Sequence, residues 1–170
     1  MVVWIIGLSG AGKTTLARQV FADIKDTIDN AVFIDGDVIR EVFGNDLGYS
    51  MSDRMKNAQR ICNLCKFLHD QGIVVVCSIL SIFHESQEWN RQNIANYYEV
   101  YIAAPIEQLI ERDVKGIYQK AIAGEINSVV GMDIEFVPPK APDLTIDNSG
   151  ELGALLAHAE KIAAIAVGKK

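Results

Sequence analysis

Eight residues near the start of the chain, Gly7 to Thr14, have the types and the spacing of a phosphate-binding loop. They read Gly-Leu-Ser-Gly-Ala-Gly-Lys-Thr and fit the pattern G-x-x-x-x-G-K-[ST]. Gly7 and Gly12 let the backbone bend around a phosphate with its N–H groups pointing inward, where a Cβ would clash. Lys13 would bring positive charge to the β- and γ-phosphates of a nucleotide, and Thr14 would offer a hydroxyl ligand to Mg²⁺. The segment therefore predicts a site for ATP and Mg²⁺.

Two aspartates follow the next apolar run of the chain. Asp35 comes directly after residues 31–34, which predict a strand, and Asp37 lies two positions further on. Carboxylates at the C-terminal end of a parallel strand project into the ligand crevice of an open sheet. Asp37 could accept the proton of an attacking hydroxyl or bind Mg²⁺ through water; the alternative is that it only caps the next helix. The neighbouring phosphate loop favours the functional interpretation.

Three further polar residues could hold an anionic, nucleotide-like acceptor. Arg54 and Asn57 are three positions apart and therefore share one face of a predicted helix. Together with Arg40 they could form a clamp, because the guanidinium fork suits phosphate or sulfate. An ordinary solvated helix surface explains the same spacing equally well.

Apolar runs alternate with helical patterns along the chain, which predicts βαβ units around a parallel sheet. Strands are predicted at residues 2–6, 31–34, 73–77, 98–102 and 144–146, and helices at 14–24, 53–70, from Pro105 at a first helical position, and 151–167. The expected fold is α/β, a single three-layer P-loop kinase domain over residues 1–170 with a central parallel five-stranded sheet.

Residues 113–142 interrupt this alternation. The segment is polar, contains several glycines and prolines, and is long for a connection in a compact domain. A mobile lid is expected here rather than a disordered insert, because phosphoryl transfer requires that water be kept off the γ-phosphate. Tyr118, Ile122 and Ile126 are spaced by four and predict an apolar stripe on a short helix of this lid.

Composition limits the classes of function. The chain has 170 residues, of which 49% are hydrophobic, enough for one domain with a proper core. The net charge of −6 argues against a nucleic-acid partner. The apolar runs are too short for a membrane span or a signal peptide, and three cysteines without a secretion signal favour a cytoplasmic enzyme with no membrane partner. Cys62 and Cys65 lie in an apolar helical pattern, which favours a core position over a metal or redox site.

Taken together, these motifs resemble the adenylyl-sulfate (APS) kinase family over nearly the whole chain. The matching segments are residues 7–14, 35–40 (Asp-Gly-Asp-Val-Ile-Arg), 47–50 (Leu-Gly-Tyr-Ser), 53–54 with Asn57, 112–118 (Arg-Asp-Val-Lys-Gly-Ile-Tyr), and 123–126 (Ala-Gly-Glu-Ile) with Gly131. The family transfers the γ-phosphate of ATP to the ribose 3′-hydroxyl of APS. The resemblance implies the same reaction class for this chain.

The resemblance also implies roles for individual residues. Asp37 would act as base or proton acceptor and Lys13 as the second catalytic residue, with Arg112 and Lys115 as lid cations. The implied contacts to ATP are Gly7, Ser9, Gly10, Ala11, Gly12, Lys13, Thr14, Thr15 and Arg112, with Thr14 also toward Mg²⁺. The implied contacts to the acceptor nucleotide are Asp35, Arg40, Tyr49, Arg54, Asn57, Ile79, Leu80, Ser81, Lys115 and Val129.

Three departures from the family bear mainly on the acceptor. The family usually carries an N-terminal extension, whereas Met1 here already borders the first predicted strand. His84 stands where the family has an arginine. The family places adenine between two aromatic rings, of which Tyr49 remains while Val129 stands at the other position. Losing a stacking partner would cost roughly 1–3 kcal/mol of base binding.

These departures leave two acceptors equally expected. One is APS, and the other is cytidine diphosphoramidate, which a compact APS-kinase-like type phosphorylates in capsule biosynthesis. The family often dimerises, so a homodimer is one expectation. The alternative from another class is a nucleotide-binding regulatory ATPase without a small-molecule acceptor; against it, residues 74–78 end the third predicted strand without an acidic residue.

Overall fold

Five parallel strands form the centre of the molecule. The computed structural model describes residues 1–113 and 115–168. Three residues of the predicted domain lie outside this range: Val114, which belongs to the predicted lid, and Lys169 and Lys170 at the end of the chain. The strands are β1 (Val2–Ile6), β2 (Ala31–Asp35), β3 (Val74–Ile79), β4 (Tyr97–Ala103) and β5 (Leu144–Asp147). Their order in the sheet is β2-β3-β1-β4-β5, and every neighbouring pair is parallel. This confirms the predicted sheet.

Helices cover both faces of the sheet and make the predicted three layers. Within the described ranges they are α1 (Lys13–Lys25), α2 (Gly36–Val42), α3 (Met51–Asp70), α4 (His84–Asn93), α5 (Ile106–Arg112), α6 (Ile117–Ile122), α7 (Leu152–Leu156) and α8 (Ala159–Ala166). One apolar cluster joins the sheet to α1, α5, α6, α7 and α8, and a second joins it to α2 and α3. None of the helices in residues 1–113 and 115–168 has the length and apolarity needed to cross a lipid bilayer.

Buried apolar runs account for the inner strands, and side-chain caps account for two helix starts. All five residues of β1 are buried, as expected for a central parallel strand covered on both faces. Helix α3 begins two residues before the predicted position because the Ser50 side chain accepts a hydrogen bond from the Asp53 amide, at 3.2 Å. Helix α2 is capped in the same way by Asp35, which accepts from the Asp37 amide. The suggestion that Asp37 only caps this helix is therefore wrong.

The predicted closing helix over residues 151–167 is wrong, because the structure has two helices there. Helix α7 places Leu155, which is 1% exposed, behind the turn at Gly12, whereas α8 packs its buried face, including Ile162, along α1. A turn at residues 157–158 separates the two helices. Pro105 is also displaced from its predicted place: it is the cap residue before α5 rather than the first helical residue.

The predicted lid contains one short helix and is anchored at its start. Tyr118 on α6 is 1% exposed and belongs to the apolar core. The predicted stripe is wrong beyond it, because α6 ends at Ile122 and both Ile122 and Ile126 are exposed. Gly124, at φ +72°, ends the helix, and the Glu125 amide donates to the Lys120 carbonyl in the closing turn. Movement of this segment stays a prediction.

Candidate active site

The phosphate-binding loop connects β1 to α1 and has no room for side chains at two of its glycines. A Cβ at Gly7 would lie 2.9 Å from the Ile102 carbonyl oxygen. Gly12 has φ +96°, and a Cβ there would lie 2.6 Å from Leu155 Cδ2. Gly12 is also the cap residue of α1, so the loop runs directly into a helix N-terminus. Strand, loop and helix follow one another as the motif predicts.

Side chains from distant segments hold this loop in place. The Tyr118 hydroxyl donates to the Ser9 carbonyl at 2.9 Å, and Asn148 Nδ2 donates to the Ala11 carbonyl at 2.9 Å. Sequence reasoning missed both roles. Asn148 directly follows β5, and a polar residue at the carboxyl end of a parallel strand is the signal that could have identified it.

Lys13 lies within the loop in a poorly solvated position. Its Nζ donates to the Leu8 carbonyl at 2.7 Å. Burial lowers the pKa of Lys13 to about 8, and the positive charge of Lys115 adds to this effect while Asp37 and Asp35 oppose it. A bound phosphate would favour the protonated form, so this ammonium is prepared for an anion.

Asp35 joins the loop to the helix that carries Asp37. Its Oδ2 accepts from the Thr14 hydroxyl at 2.9 Å and from the Ser78 hydroxyl at 2.8 Å, while its Oδ1 accepts from the Asp37 amide at 3.0 Å. Burial acts against the charged carboxylate, but the hydrogen bonds from Ser78, Asp37 and Thr14 outweigh it and lower the pKa of Asp35. Asp35, predicted as an acceptor contact, thus faces the phosphate loop.

Thr14 and Asp35 are the residues that could hold a metal ion. Both offer hard oxygen atoms beside the loop, and the Thr14 proton is directed at Asp35, which leaves the hydroxyl lone pairs free. Mg²⁺ commonly takes one or two protein oxygens together with phosphate oxygens and water. The residues present therefore fit Mg²⁺. Among the described residues there is no cluster of three or more His, Cys, Asp or Glu suited to a metal.

A pocket next to Asp37 gathers most of the predicted acceptor contacts. It is enclosed by residues of α2, α3 and the end of β3 together with the loops beside them: Gly36, Asp37, Arg40, Tyr49, Arg54, Asn57, Ala58, Ile79, Leu80, Ile82 and Phe83. Asn57 is 5% exposed, and its Oδ1 has no hydrogen-bond partner in the part of the chain that the structure describes. A buried acceptor of this kind is costly unless a ligand supplies the donor.

Two arginines shape this pocket around an aromatic ring. Arg40 is 8% exposed, donates to the Leu47 and Gly48 carbonyls, and lies 4.8 Å from the centroid of the Tyr49 ring. Arg54 donates to the Tyr49 carbonyl at 2.9 Å and lies 5.4 Å from the same ring. Because Arg40 and Asn57 are buried, this face is not an ordinary solvated helix surface.

Lys115 reaches across from the predicted lid to Asp37. Its Nζ lies 2.6 Å from Asp37 Oδ2, and more than half of each side chain is exposed. This hydrogen bond raises the pKa of Lys115. Asp37 Oδ1 has no hydrogen-bond partner within the described residues, and Asp37 lines the pocket. The predicted lid cation and the predicted base are thus brought together.

Four residues that were predicted to contact ATP or the acceptor do not line the pocket. Val129 is 6% exposed and belongs to the apolar core, outside the pocket lining. Ser81 is buried and accepts from the Gln87 side chain, and Thr15 is exposed on the first turn of α1. Arg112 donates to the Asn148 carbonyl at 2.9 Å, which places it beside the residue that holds the loop at Ala11.

His84, which stands where the resembled family has an arginine, contacts the backbone at Pro138. Its Nε2 lies 3.0 Å from the Pro138 carbonyl, so this nitrogen carries the proton. His84 is not among the residues that line the pocket, although its neighbours Ile82 and Phe83 are.

Comparison with known proteins agrees with this geometry. The family model for adenylylsulphate kinase matches residues 1–147. Cytidine diphosphoramidate kinase of Campylobacter jejuni is 42% identical over 148 residues, which are 87% of this chain and 86% of that protein. An adenylyl-sulfate kinase of Halothermothrix orenii is 40% identical over 149 residues, 88% of this chain and 80% of that protein. The structure of a Mycobacterium tuberculosis APS kinase in complex with AMPPNP and APS is similar with a TM-score of 0.86, at 32% identity over 96% of this chain and 95% of that one.

Proposed function

Because this chain belongs to the adenylylsulphate kinase family and is an ATP-dependent phosphotransferase, we propose that it phosphorylates the ribose 3′-hydroxyl of a small nucleotide. The observation that carries the proposal is the position of Asp35. One of its oxygens accepts from Thr14 of the phosphate loop, and the other accepts from the amide of Asp37, which lines the acceptor pocket. A single carboxylate therefore connects the donor site to the acceptor site.

Each half of the site has its own task in this reaction. The backbone N–H groups of the loop and the Lys13 ammonium hold the phosphates of ATP at the N-terminus of α1. Thr14 and Asp35 would hold Mg²⁺, which when bound neutralises charge on the phosphate oxygens. Arg40, Arg54 and the free Asn57 oxygen would hold the acceptor nucleotide in the pocket. Catalysis is then mostly positioning and stabilisation of charge.

Asp37 is the proposed proton acceptor. Its Oδ1 is available, while its Oδ2 is held by Lys115. The 3′-oxygen forms a bond to the γ-phosphorus as the bond from that phosphorus to the bridging oxygen of ADP breaks, and the hydroxyl proton passes to Asp37. Lys115 keeps positive charge next to the carboxylate and the transferred phosphoryl group throughout.

We propose cytidine diphosphoramidate rather than APS as the acceptor, and the lining of the pocket supports this choice. Of the two positions at which aromatic rings would hold a base, only Tyr49 lines the pocket, because Val129 is buried in the core. A single-ring base depends less on stacking from both sides than adenine does. The other aromatic side chain in the lining is Phe83.

A panel of acceptors with ATP and Mg²⁺, followed by ³¹P NMR, tests the proposal. The panel contains cytidine diphosphoramidate, APS, CDP and AMP, and a new ribose monophosphate signal is expected, strongest for cytidine diphosphoramidate. A higher kcat/KM for APS would overturn the choice of base while leaving the reaction class intact. If ATP is consumed at the same rate without any nucleotide acceptor, the regulatory ATPase alternative is correct and the proposal is wrong.

The proposal also includes the oligomeric state of the protein and its location in the cell. A homodimer and a cytoplasmic location stay predictions, which static light scattering of the purified protein and cell fractionation would test.

A further inference from the structure

Ser78 is a buried hydroxyl group among apolar neighbours. It lies in β3 between Cys77 and Ile79, and it is only 2% exposed. In the sheet it is the register partner of Asp35 on β2. Burying a hydroxyl costs free energy unless it is hydrogen-bonded, and the partner of Ser78 is Asp35 Oδ2 at 2.8 Å. The strand therefore keeps a polar residue at a position where an apolar one would pack.

The Ser78 hydrogen bond is one of three that hold the Asp35 carboxylate. The Thr14 hydroxyl donates to the same oxygen at 2.9 Å, and the Asp37 amide donates to the other oxygen at 3.0 Å. These donors come from three different elements, namely β3, α1 and α2. The carboxylate cannot turn about its own axis without breaking at least one of them. Of the three donors, only Ser78 has no place in either the phosphate loop or the acceptor pocket.

The orientation of Asp35 decides what Thr14 can offer a metal ion. While Asp35 accepts the Thr14 proton, the hydroxyl lone pairs remain available to a hard cation. If the carboxylate turned away, the Thr14 hydroxyl would lose this partner and could rotate. Mutation of a residue that orients a metal ligand in this way typically weakens metal binding by about 10- to 100-fold.

We propose that Ser78 is a positioning residue for the phosphate-binding site: its hydroxyl fixes Asp35 so that Thr14 presents its oxygen to a nucleotide-bound divalent cation. The inference rests on the proposed function, since it assumes that the loop binds a metal–nucleotide complex. It concerns binding alone, and no acceptor is needed to test it.

Replacing Ser78 by alanine tests this role with Mn²⁺ as the probe. Binding of Mn²⁺ to the protein in the presence of saturating ADP is measured by electron paramagnetic resonance, and binding of ADP in EDTA is measured by calorimetry. For Ser78→Ala we expect the Kd of Mn²⁺ to rise about 10- to 100-fold, while the Kd of metal-free ADP changes less than about twofold. Ser78→Thr, which restores a hydroxyl donor, should recover most of the Mn²⁺ affinity.

Ser86→Ala is the matched control. Ser86 is also buried, at 3% exposure, but its hydroxyl has no partner in the described residues and lies on α4 away from the loop. We expect this variant to bind Mn²⁺ like the wild type.

Two results would overturn the inference. One is wild-type Mn²⁺ affinity in Ser78→Ala. The other is a loss of affinity for metal-free ADP as large as the loss for Mn²⁺, which would show that Ser78 only supports the fold. If Ser78→Ala fails to fold by circular dichroism, Ser78→Cys, with similar size and a weaker donor, replaces it, and unchanged Mn²⁺ affinity there also contradicts the role. Failure of the acceptor panel alone would overturn the proposed function and leave these binding results unaffected.

Discussion

The two halves of the proposed site, a donor half at the phosphate-binding loop and an acceptor half at the pocket next to Asp37, are built in different ways. The phosphate loop is fixed by main-chain geometry and by buried partners, such as Leu155 behind Gly12 and Asn148 bonded to the Ala11 carbonyl. The acceptor pocket is shaped by side chains, and its principal ring, that of Tyr49, is 59% exposed. The donor half can therefore bind its ligand with little rearrangement, whereas the acceptor half depends on a few exposed groups.

This contrast matches the chemistry that each half must recognise. Phosphate groups are the same in every nucleotide, and backbone N–H groups with one lysine suffice to hold them. An acceptor differs from its competitors in its base and its 5′ group, which the side chains that line a pocket can distinguish. Changes in the donor half should therefore abolish the reaction, while changes in the acceptor half should alter which nucleotide is used.

The largest loss is expected for Lys13→Ala. Removing the ammonium that we propose contacts the γ-phosphate should reduce kcat by roughly 10³- to 10⁵-fold, as the loss of other cations at a transferred phosphoryl group does. Steady-state kinetics measures the effect, and circular dichroism should show an intact fold. Lys25→Ala, at the exposed end of the same helix, is the control. Near-normal turnover in Lys13→Ala would mean that the loop is not the donor site.

Asp37→Asn should have the next largest effect. The variant keeps the shape of the side chain but cannot accept a proton, so kcat should fall by roughly 10²- to 10⁴-fold while the affinity for ATP stays near that of the wild type. Calorimetry with a non-hydrolysable ATP analogue separates the two effects. Asp46→Asn, at a surface carboxylate paired with Arg60, should be neutral. Lost ATP binding with undiminished chemistry would contradict the assignment of Asp37.

A smaller and more selective effect is expected for Tyr49→Ala. Without the ring, the KM for the acceptor should rise about 10- to 100-fold, because both base stacking and the support of Arg40 and Arg54 are lost. The KM for ATP should stay within about twofold. Tyr49→Phe should retain the acceptor affinity, since the ring rather than the hydroxyl is used. Equal losses for ATP and acceptor would remove the distinction between the two halves.

The smallest expected effect is an uptake of protons by Lys13 when nucleotide binds at high pH. Because burial lowers the pKa of Lys13 to about 8, the free protein loses this proton as the pH rises through that value. Bound phosphate favours the ammonium, so nucleotide binding at pH 9 should take up as much as about one proton, with little uptake from this group at pH 7. Calorimetry in buffers of different ionisation enthalpy measures the uptake. The uptake should disappear in Lys13→Ala, and its persistence there would assign it to another group.

Sequence reasoning was more successful for the donor half, and the reason is physical. The loop, the sheet and the helix after Gly12 follow from local requirements, namely a glycine at positive φ and unbroken apolar strands. Ser78 and Asn148 were missed because their roles depend on which strands become neighbours, a property of the whole sheet. The break between α7 and α8 was missed because two packing contacts, rather than local propensity, determine where that helix ends.

The acceptor half was predicted only in part for the same reason. The types and spacing of Arg54 and Asn57 allowed a clamp but could not exclude a solvated helix, because the burial of a helix face depends on how the whole chain packs. Val129 was expected in the acceptor site from its place in the resembled family, whereas in the structure it packs into the core. Resemblance to a family assigns a residue its position in the chain, but it does not determine whether the side chain packs into the core or lines a pocket.

The contact between Leu155 and the turn at Gly12 has a consequence for C-terminal truncation of this protein. The region shared with the family model ends at residue 147, so a shortened version stopping there would retain every recognised signature. It would nevertheless lack the Leu155 side chain behind Gly12, so we expect it to bind ATP more weakly than the full chain. Residues 148–168, which carry no motif, thus include a side chain that supports the phosphate-binding loop.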